Sequence, residues 1–185
     1  MPFQDLRSRL ADKTPLRIDA PGGVETSVAI LLAQGPQGLQ TLLIQRAERA
    51  GDPWSGHIGL PGGRRDTSDL DRLATARRET LEEIGVALPP ESLLGCLDDL
   101  HPREPSLPSL IIRPFVFGLD PRPDAKTSAE VAASYWVPLA SLAGAHETSL
   151  VAHRGKSIAV PSFKIAGLPD GLVVWGLTYR ILNGL

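Results

Sequence analysis

The sequence is poor in cysteine and contains no long hydrophobic run. Cys96 is its one cysteine, which excludes a disulfide within the chain and leaves too few thiolates for a cysteine-based zinc site. We interpret Cys96 as a small residue of the core. The first ten residues lack the apolar stretch of a signal peptide, and no later segment reaches the roughly 18 apolar residues of a membrane span. We therefore expect a cytoplasmic protein that makes no contact with a membrane.

The sequence also lacks an excess of charge of either sign. Lysine and arginine number 19, aspartate and glutamate number 21, and the formal net charge is −2. This balance argues against nucleic acid as the main partner, because such proteins carry a basic surface. A small anionic ligand is compatible with it, since its binding depends on local charge. The length and the 42% hydrophobic content predict a single domain over residues 1–185.

Periodicity and turn residues predict a succession of strands and helices. The elements predicted for the first half are a helix over 3–11, a loop over 12–23, strands Thr26–Ala33 and Leu39–Gln45, and loops over 50–69 around a short apolar piece at Ile58. The two strands are expected to form a hairpin through the turn at 35–38. The later predicted elements are a helix over 70–84, strands over 93–97, 110–118 and 134–137, two strands within Val151–Ile165, and a closing helix from Leu172 to Leu182. This order predicts an α/β or α+β layered domain.

Residues 70–84 form the clearest predicted helix, because alanine and glutamate dominate it. Ser68 or Asp69 is predicted to cap its start, and Gly85 is predicted to end it. Its apolar side chains are expected to gather on one side and to pack against a sheet. These side chains are Leu73, Leu81 and Ile84.

Three carboxylates share another face of this helix. At about 100° per residue, Glu79, Glu82 and Glu83 lie within one narrow sector. Like charges at this spacing repel each other, and a divalent cation would offset the repulsion. Oxygen ligands favour Mg²⁺ or Mn²⁺. The alternative is a solvated helix face with no metal.

The segment around these carboxylates resembles the Nudix box, Gly-x5-Glu-x7-Arg-Glu-U-x-Glu-Glu-x-Gly-U, where U is a bulky apolar residue. The box begins at Gly63, covers residues 63–86, and matches in its second half at Arg78, Glu79, Glu82, Glu83, Gly85 and Val86. Three features depart from it. Asp69 stands in place of the first glutamate, the gap from 69 to 78 is one residue longer, and Thr80 replaces an apolar residue.

The resemblance implies a Nudix-type α/β/α sandwich with a central mixed sheet, and a hydrolase that cleaves pyrophosphate bonds with Mg²⁺ or Mn²⁺. It implies that Glu79 and Glu83 are the principal metal ligands. Glu82 would assist as a ligand or by orienting water, and Arg78 would hold a glutamate in place through a charge-assisted hydrogen bond. A bound metal would lower the pKa of the attacking water.

The flanking residues of the box have implied roles as well. Gly62 and Gly63 would permit a tight turn that brings the backbone close to the metal and the diphosphate. Glu130 and the following Trp136-Val137-Pro138-Leu139 resemble the Nudix loop and strand that close the active site. Glu130 is therefore a candidate general base, with a surface carboxylate as the alternative. We interpret Trp136 as a core residue.

Other segments resemble the coenzyme A pyrophosphatase branch of the family. They are Leu42–Ala47, Gly56–Gly63, the longer box with Asp66 and Asp69, and the ending Val174–Thr178. Gly51 stands where that branch tends to have an arginine, and Leu60 replaces a phenylalanine. The arginines that could bind phosphate instead are Arg46, Arg49, Arg64 and Arg65, with a solvated basic edge as the alternative. We interpret His57 as packing beside the turn, with a contact to phosphate as the alternative. His101, before Pro102 and Arg103, is interpreted as a loop histidine, with a position that reaches the site as the alternative.

The resemblance to this branch implies hydrolysis of coenzyme A or acyl-coenzyme A to 3′,5′-ADP and a phosphopantetheine product. A nucleotide housecleaning hydrolase acting on nucleoside di- or triphosphates or ADP-ribose is one alternative. A non-catalytic nucleotide-sensing Nudix module is another, although the intact carboxylates argue against it. The expected partner is a small nucleotide substrate. The sequence does not decide between a monomer and a homodimer.

Overall fold

The structure is a computed structural model that describes residues 3–52, 54–102, 109–153, 155–165 and 168–185. The helices of these residues are α1 (Gln4–Ala11), α2 (Arg72–Ile84) and α3 (Gly176–Leu182). The strands are β1 (Val24–Gly35), β2 (Gly38–Arg46), β3 (Ile58–Gly59), β4 (Gly62–Arg64), β5 (Leu93–Cys96), β6 (Leu110–Leu119), β7 (Val131–Pro138), β8 (His146–His153), β9 (Lys156–Phe163) and β10 (Val174–Trp175). None of the helices in these ranges is long and apolar enough to cross a membrane.

A mixed sheet of seven strands forms the centre of the described residues. Its main order is β3-β2-β1-β6-β5, with β4 paired to β1 and β7 paired to β2. The predicted hairpin is confirmed, because β1 and β2 pair antiparallel up to Gly35 and Gly38. The pair of β1 with β6 is parallel, whereas β2, β4 and β5 pair antiparallel with their neighbours.

Alternate residues of the strands supply two cores, one on each face of the sheet. On one face, Ile30 and Leu32 pack with side chains of α1, α3 and β9. On the other face, Ala29 and Leu31 pack with Ala76 and Ile84 of α2. Helices therefore cover both faces of a central mixed sheet, which confirms the α/β/α sandwich. Cys96 is only partly buried, at the edge of the second core.

Helix α2 begins later than the sequence predicted. Asp71 is the N-cap, and its side chain accepts a hydrogen bond from the backbone N–H of Ala74 at 2.7 Å, so the prediction of Ser68 or Asp69 was wrong. Gly85 ends the helix in the left-handed conformation with φ +66°, as predicted. Leu81 was expected to be buried, but it is 52% exposed.

The side chains that α2 buries are smaller and more polar than the sequence suggested. They are Arg72, Thr75, Ala76, Thr80, Glu83 and Ile84. Thr80 stands where the family pattern has an apolar residue, and its hydroxyl donates to the Ala76 carbonyl at 2.7 Å. This bond satisfies the buried hydroxyl, so threonine fits the position.

A second, three-stranded sheet follows the central one in the described part of the chain, in the order β10-β9-β8. The two strands predicted within Val151–Ile165 are a hairpin that begins earlier, at His146. The closing helix α3 is shorter than predicted, because Val174 and Trp175 pair with Phe163 and Ser162 as a short strand.

Candidate active site

The three glutamates of α2 have different surroundings. Glu83 is only 4% exposed, and the Glu79 side chain is 17% exposed. The Glu82 side chain is 58% exposed and accepts a hydrogen bond from Arg78 one helical turn earlier, at 2.9 Å. Glu79 and Glu83, four residues apart, are therefore the carboxylates that face the protein.

The glycine turn approaches both of these carboxylates. The backbone N–H of Gly62 donates to Oε2 of Glu83 at 2.9 Å. A Cβ atom at Gly63 would overlap the Glu79 carboxylate, and a Cβ atom at Gly62 (φ +149°) would overlap the carbonyl oxygen of Ser27 on β1. Glycine is required at both positions, because any side chain would displace a carboxylate or a strand.

Burial shapes the electrostatics of the pair. It raises the pKa of Glu83 to about 7, against the opposing hydrogen bond from Gly62, and the charges of Glu79 and Glu130 raise it further. Burial also raises the pKa of Glu79, although the charge and hydrogen bond of Arg78 oppose this. The positive charge near the two carboxylates therefore does not fully offset the cost of removing them from water in their ionised form.

Arg78 connects the carboxylates of the box to one another. Its Nε and one terminal nitrogen donate to the two oxygens of Asp69 at 2.9 and 3.0 Å. Its other terminal nitrogen lies 2.9 Å from Glu82 and 3.0 Å from Glu79. The terminal nitrogen of Arg78 that donates to Asp69 also donates to the Arg64 carbonyl at 3.1 Å. These contacts agree with the expectation that Arg78 holds a glutamate in place, and they add Asp69 as its anchor.

Asp69 is almost completely buried by its partners. Besides Arg78, it accepts from the Asp66 backbone N–H at 2.9 Å and from the Thr75 hydroxyl at 2.9 Å. The hydrogen bond from Arg78 is the main cause of a pKa for Asp69 well below its usual range. Asp69 is thus an ionised positioning residue for Arg78, and its shorter side chain suffices for that contact.

The pair Glu79 and Glu83 fits a divalent cation. Two partly desolvated carboxylates with raised pKa values lie against a glycine turn, and carboxylate oxygens suit a hard cation. Within the described ranges, no group of three or more Asp, Glu, His or Cys side chains is arranged as a ligand set. Glu79 and Glu83 would hold the cation, with the remaining positions open to water and substrate oxygens.

Arg46, at the end of β2, supplies positive charge near this pair. The charge of Arg46 lowers the pKa of Glu83, whereas the charge of Glu130 raises it, so both charges lie near this carboxylate. Arg46 forms an ion pair with Asp52 at 2.9 Å, but its buried Nε has no hydrogen-bond partner among the described residues. Glu130 is half exposed and contacts Arg49 at 3.1 Å.

The two arginines of the box turn have other surroundings. Arg65 donates to Glu25 at 2.7 Å and to the carbonyl oxygens of Asp69 and Leu70 at 3.3 Å. Arg64 is exposed, and its carbonyl accepts from Arg78. The contacts of Arg65 favour a structural role, whereas the exposed side chain of Arg64 can reach a ligand.

The histidines pack as the sequence suggested. The His57 ring lies 4.8 Å from the Trp175 ring, measured between centroids. His101 lies 3.2 Å from the Ser109 hydroxyl. Arg103 falls outside the described residues. Trp136 is partly buried against the core beneath α2, as expected, with Arg122 5.9 Å from its ring centroid.

A second cluster of charge was not predicted from the sequence. Arg113 donates to both oxygens of Asp99 at 2.8 Å, and Arg17 and Arg72 lie 3.2 and 3.7 Å away. Burial would raise the pKa of Asp99, but the hydrogen bonds of Arg113 and of the Ile18 N–H hold it below the usual range. The four side chains are far apart in the chain, so spacing gave no signal.

A family model described as the NUDIX domain matches residues 24–159. The chain belongs to the Nudix family. It is 33% identical over 144 residues to the human protein named mitochondrial coenzyme A diphosphatase NUDT8, covering 75% of this chain and 58% of that protein. These matches confirm the family that the sequence predicted. They also confirm the predicted similarity to the coenzyme A branch of that family.

Solved Nudix structures share the fold. A MutT/nudix family protein from Enterococcus faecalis superposes with a TM-score of 0.60 at 19% identity, covering 97% of this chain and 66% of that chain. The NUDIX domain of Shewanella oneidensis NrtR, crystallised with ADP ribose, gives a TM-score of 0.51 at 27% identity, covering 72% and 82%. The chain spans only 32 to 58% of the length of the first curated relatives it matches.

Proposed function

We propose that this protein is a metal-dependent Nudix pyrophosphohydrolase that cleaves the diphosphate bond of a nucleoside diphosphate-linked compound. The substrate that we propose is coenzyme A or acyl-coenzyme A, and the products are 3′,5′-ADP and a phosphopantetheine. The observation that carries the proposal is the placement of Glu79 and Glu83 against the glycine turn. Glu83 is buried and accepts from the Gly62 N–H, Glu79 is partly buried, and burial raises the pKa of both carboxyl groups, which supports a cation between them.

The residues divide the chemistry among them. A bound Mg²⁺ or Mn²⁺ supplies neutralisation of phosphate charge and makes an attacking water more acidic. Glu79 and Glu83 hold the cation, Glu82 assists at the exposed side, and Arg78 keeps the carboxylates in register. Water attacks one phosphorus, the bridging P–O bond breaks, and a carboxylate oxygen of Glu130 takes the proton of the water.

Arg46 and Arg64 are the candidate phosphate ligands. The buried Nε of Arg46 lacks a partner in the described residues, and an N–H group in that state favours an anionic acceptor. Arg64 offers an exposed guanidinium beside Gly63. Arg65 and the backbone of Gly62 and Gly63 complete the set that the family resemblance implies, although the contacts of Arg65 with Glu25 support a weaker role.

Two observations support the choice of coenzyme A. The segments Leu42–Ala47 and Val174–Thr178 resemble the coenzyme A pyrophosphatase branch. Human and mouse NUDT8, which are named coenzyme A diphosphatases, are 33 and 35% identical to parts of this chain. Gly51 argues against tight binding of coenzyme A, because the coenzyme A branch tends to have an arginine at this position.

A substrate screen tests the proposal. Purified protein is incubated with Mg²⁺ or Mn²⁺ and coenzyme A, acetyl-coenzyme A, ADP-ribose, NADH or deoxynucleoside triphosphates, and the products are separated by chromatography. We expect coenzyme A to give 3′,5′-ADP with the highest kcat/KM. Efficient cleavage of a nucleotide without cleavage of coenzyme A would overturn the choice of substrate. Absence of hydrolysis with tight nucleotide binding would favour the sensor alternative.

ADP-ribose is the second candidate substrate, because the similar NUDIX domain of NrtR was crystallised with it. We further propose that residues 1–185 form one domain, in which β10 and α3 follow the part matched by the family model and β10 pairs with β9. The cytoplasmic location and the homodimer remain predictions.

A further inference from the structure

Three rings meet where the second sheet joins the central one. The Trp175 ring of β10 lies 4.8 Å from the ring of His57 and 5.4 Å from that of His153, measured between centroids. The two imidazole rings are 6.1 Å apart. His57 precedes β3 and His153 ends β8, so the cluster joins three segments that are distant in sequence.

This ring cluster (His57, His153 and Trp175) lies beside Arg46. The β2–β3 register pairs Ile44 with Gly59 and Gln45 with Ile58, and the N–H of Arg46 donates to the His57 carbonyl at 3.0 Å. Arg46 and His57 are therefore neighbours across the β2–β3 ladder, beside a β-bulge of β2 at Gln45 and Arg46. Directly opposed side chains have Cβ atoms about 5 Å apart.

The ring cluster is partly exposed and has an unpartnered polar atom. All three residues are partly exposed, and neither imidazole is parallel to the indole, with interplanar angles of 62° and 80°. The buried Nδ1 of His153 has no hydrogen-bond partner in the described part of the chain. Burial and the nearby His153 lower the pKa of His57, so its ring is neutral at neutral pH and offers both a donor and an acceptor.

A second set of rings, formed by Phe163, His146 and Tyr179 where β9 meets α3, differs in having a buried ring at its centre and paired polar groups. Phe163 is 1% exposed, and its ring lies 4.6 Å from those of His146 and Tyr179. The Nδ1 of His146 lies 3.1 Å from the Tyr179 hydroxyl, so these polar groups have each other as partners. That set is a packing cluster, and it provides a control for the first.

We propose that His57, His153 and Trp175 form a subsite for the nucleobase of the substrate, one strand away from the arginine that binds its phosphate. The inference rests on the proposed function, since it assigns one end of the same diphosphate substrate. A planar heterocycle stacks on an indole, and its ring nitrogens and amino group match the free imidazole nitrogens. Arg46 then contacts the 5′-phosphate of the same nucleotide.

The test compares two probes that differ only in the base, AMP and ribose 5-phosphate. Neither contains a diphosphate bond, so binding is measured by calorimetry without turnover. We expect the wild-type protein to bind AMP at least about fivefold more tightly, as for one stacked base. Trp175→Leu should bring this ratio close to one, and Trp175→Phe should retain most of it.

Tyr179→Leu is the matched control, because it removes a ring of the packing cluster on the same C-terminal segment. It should lower the melting temperature and leave the ratio of AMP to ribose 5-phosphate affinity unchanged. An unchanged ratio in a folded Trp175→Leu variant, or a ratio near one in wild type, would overturn the inference.

The outcome is separate from that of the substrate screen. If the protein cleaves coenzyme A but Trp175→Leu leaves the ratio of AMP to ribose 5-phosphate affinity unchanged, the proposed function stands and the subsite is refuted. A protein whose ratio depends on Trp175 but which cleaves no diphosphate retains the subsite and loses the proposed activity. Where coenzyme A is cleaved, Trp175→Leu should raise KM about fivefold or more with kcat within about twofold, since a base contact far from the reacting phosphorus acts on binding.

Discussion

Two clusters of carboxylates and arginines have opposite balances of charge. At α2, Glu83 is buried and Glu79 is partly buried, both with pKa values above the usual range, and Arg78, which contacts Glu79, also binds Asp69 and Glu82. At Asp99, one fully buried carboxylate is contacted by three arginines, and its pKa lies below the usual range.

The difference distinguishes the proposed metal site from a structural cluster. Asp99 has its counter-charges within the chain, so its burial is already compensated and needs no ligand. Glu79 and Glu83 have less of that compensation, which supports the proposal that a cation binds there. The pKa values of Asp99 and of the two glutamates are all shifted. The direction of the shift distinguishes them, because it is downward for Asp99 and upward for Glu79 and Glu83.

The largest expected effect comes from removing the charge of Glu83. We expect Glu83→Gln to lower kcat about a thousandfold or more, or about 4 kcal/mol of activation free energy, because metal binding depends on the carboxylate. Steady-state kinetics on the best substrate of the screen measures this. The metal-free variant should be at least as stable as metal-free wild type in urea, since it buries no ionised group. Turnover within tenfold of wild type would defeat the assignment.

Removing the charge of Asp99 should affect stability instead of turnover. Asp99→Asn leaves three clustered arginines without a counter-charge, so we expect the free energy of unfolding to fall by about 3 kcal/mol in urea denaturation. Asp98→Asn is the matched control, because Asp98 is exposed and accepts from the Leu16 N–H at 2.8 Å, a bond that asparagine can keep. An equal loss in both variants would show that burial of the charge is not the cause.

The pH dependence of the metal-free protein should follow Glu83. Its pKa is about 7 in the folded state and ordinarily 4.5, so the folded state binds the extra proton between these values. Its contribution to stability is therefore present at low pH and is lost as pH rises through 7, by about 2 kcal/mol between pH 5 and pH 8. Urea denaturation at several pH values gives the free energy of unfolding of wild type and of Glu83→Gln as a function of pH. The difference between the two slopes against pH is the contribution of Glu83. Added Mg²⁺ should reduce the loss of stability at high pH. Identical pH slopes for the two proteins without metal would refute the raised pKa of Glu83.

The smallest effect is expected where cations are in surplus. Arg17→Ala leaves Asp99 with the two hydrogen bonds of Arg113 and the charge of Arg72, so we expect a loss of only about 1 kcal/mol or less. Urea denaturation beside Asp99→Asn gives the comparison. A loss as large as that of Asp99→Asn would mean that the arginines are not redundant.

Local signals predicted much of the fold. The turn at 35–38 predicted the hairpin, and Gly85 predicted the end of α2, because both depend on nearby residues alone. The cap was displaced to Asp71 because Asp69 is occupied by Arg78 and Thr75. Leu81 is exposed because the sheet is contacted by Ala76 and Ile84 instead.

The site was predictable as a motif but not as a geometry. Helical periodicity brought Glu79, Glu82 and Glu83 to one sector, yet it could not separate the buried Glu83 from the exposed Glu82. That separation depends on where the glycine turn crosses the helix, which is a tertiary contact. Asp52 beside Arg46 and the rings around Trp175 are tertiary contacts as well.

The parallel pair of β1 and β6 has a consequence for how the protein is made. It joins Val24 to Leu110, residues 86 positions apart, and the glycine turn and α2 lie within the intervening loop. Closing so long a loop is entropically costly and slow compared with forming a hairpin. We therefore expect the glutamates of α2 to remain hydrated until β6 has left the ribosome, so that the proposed cation site forms only at that late stage of synthesis.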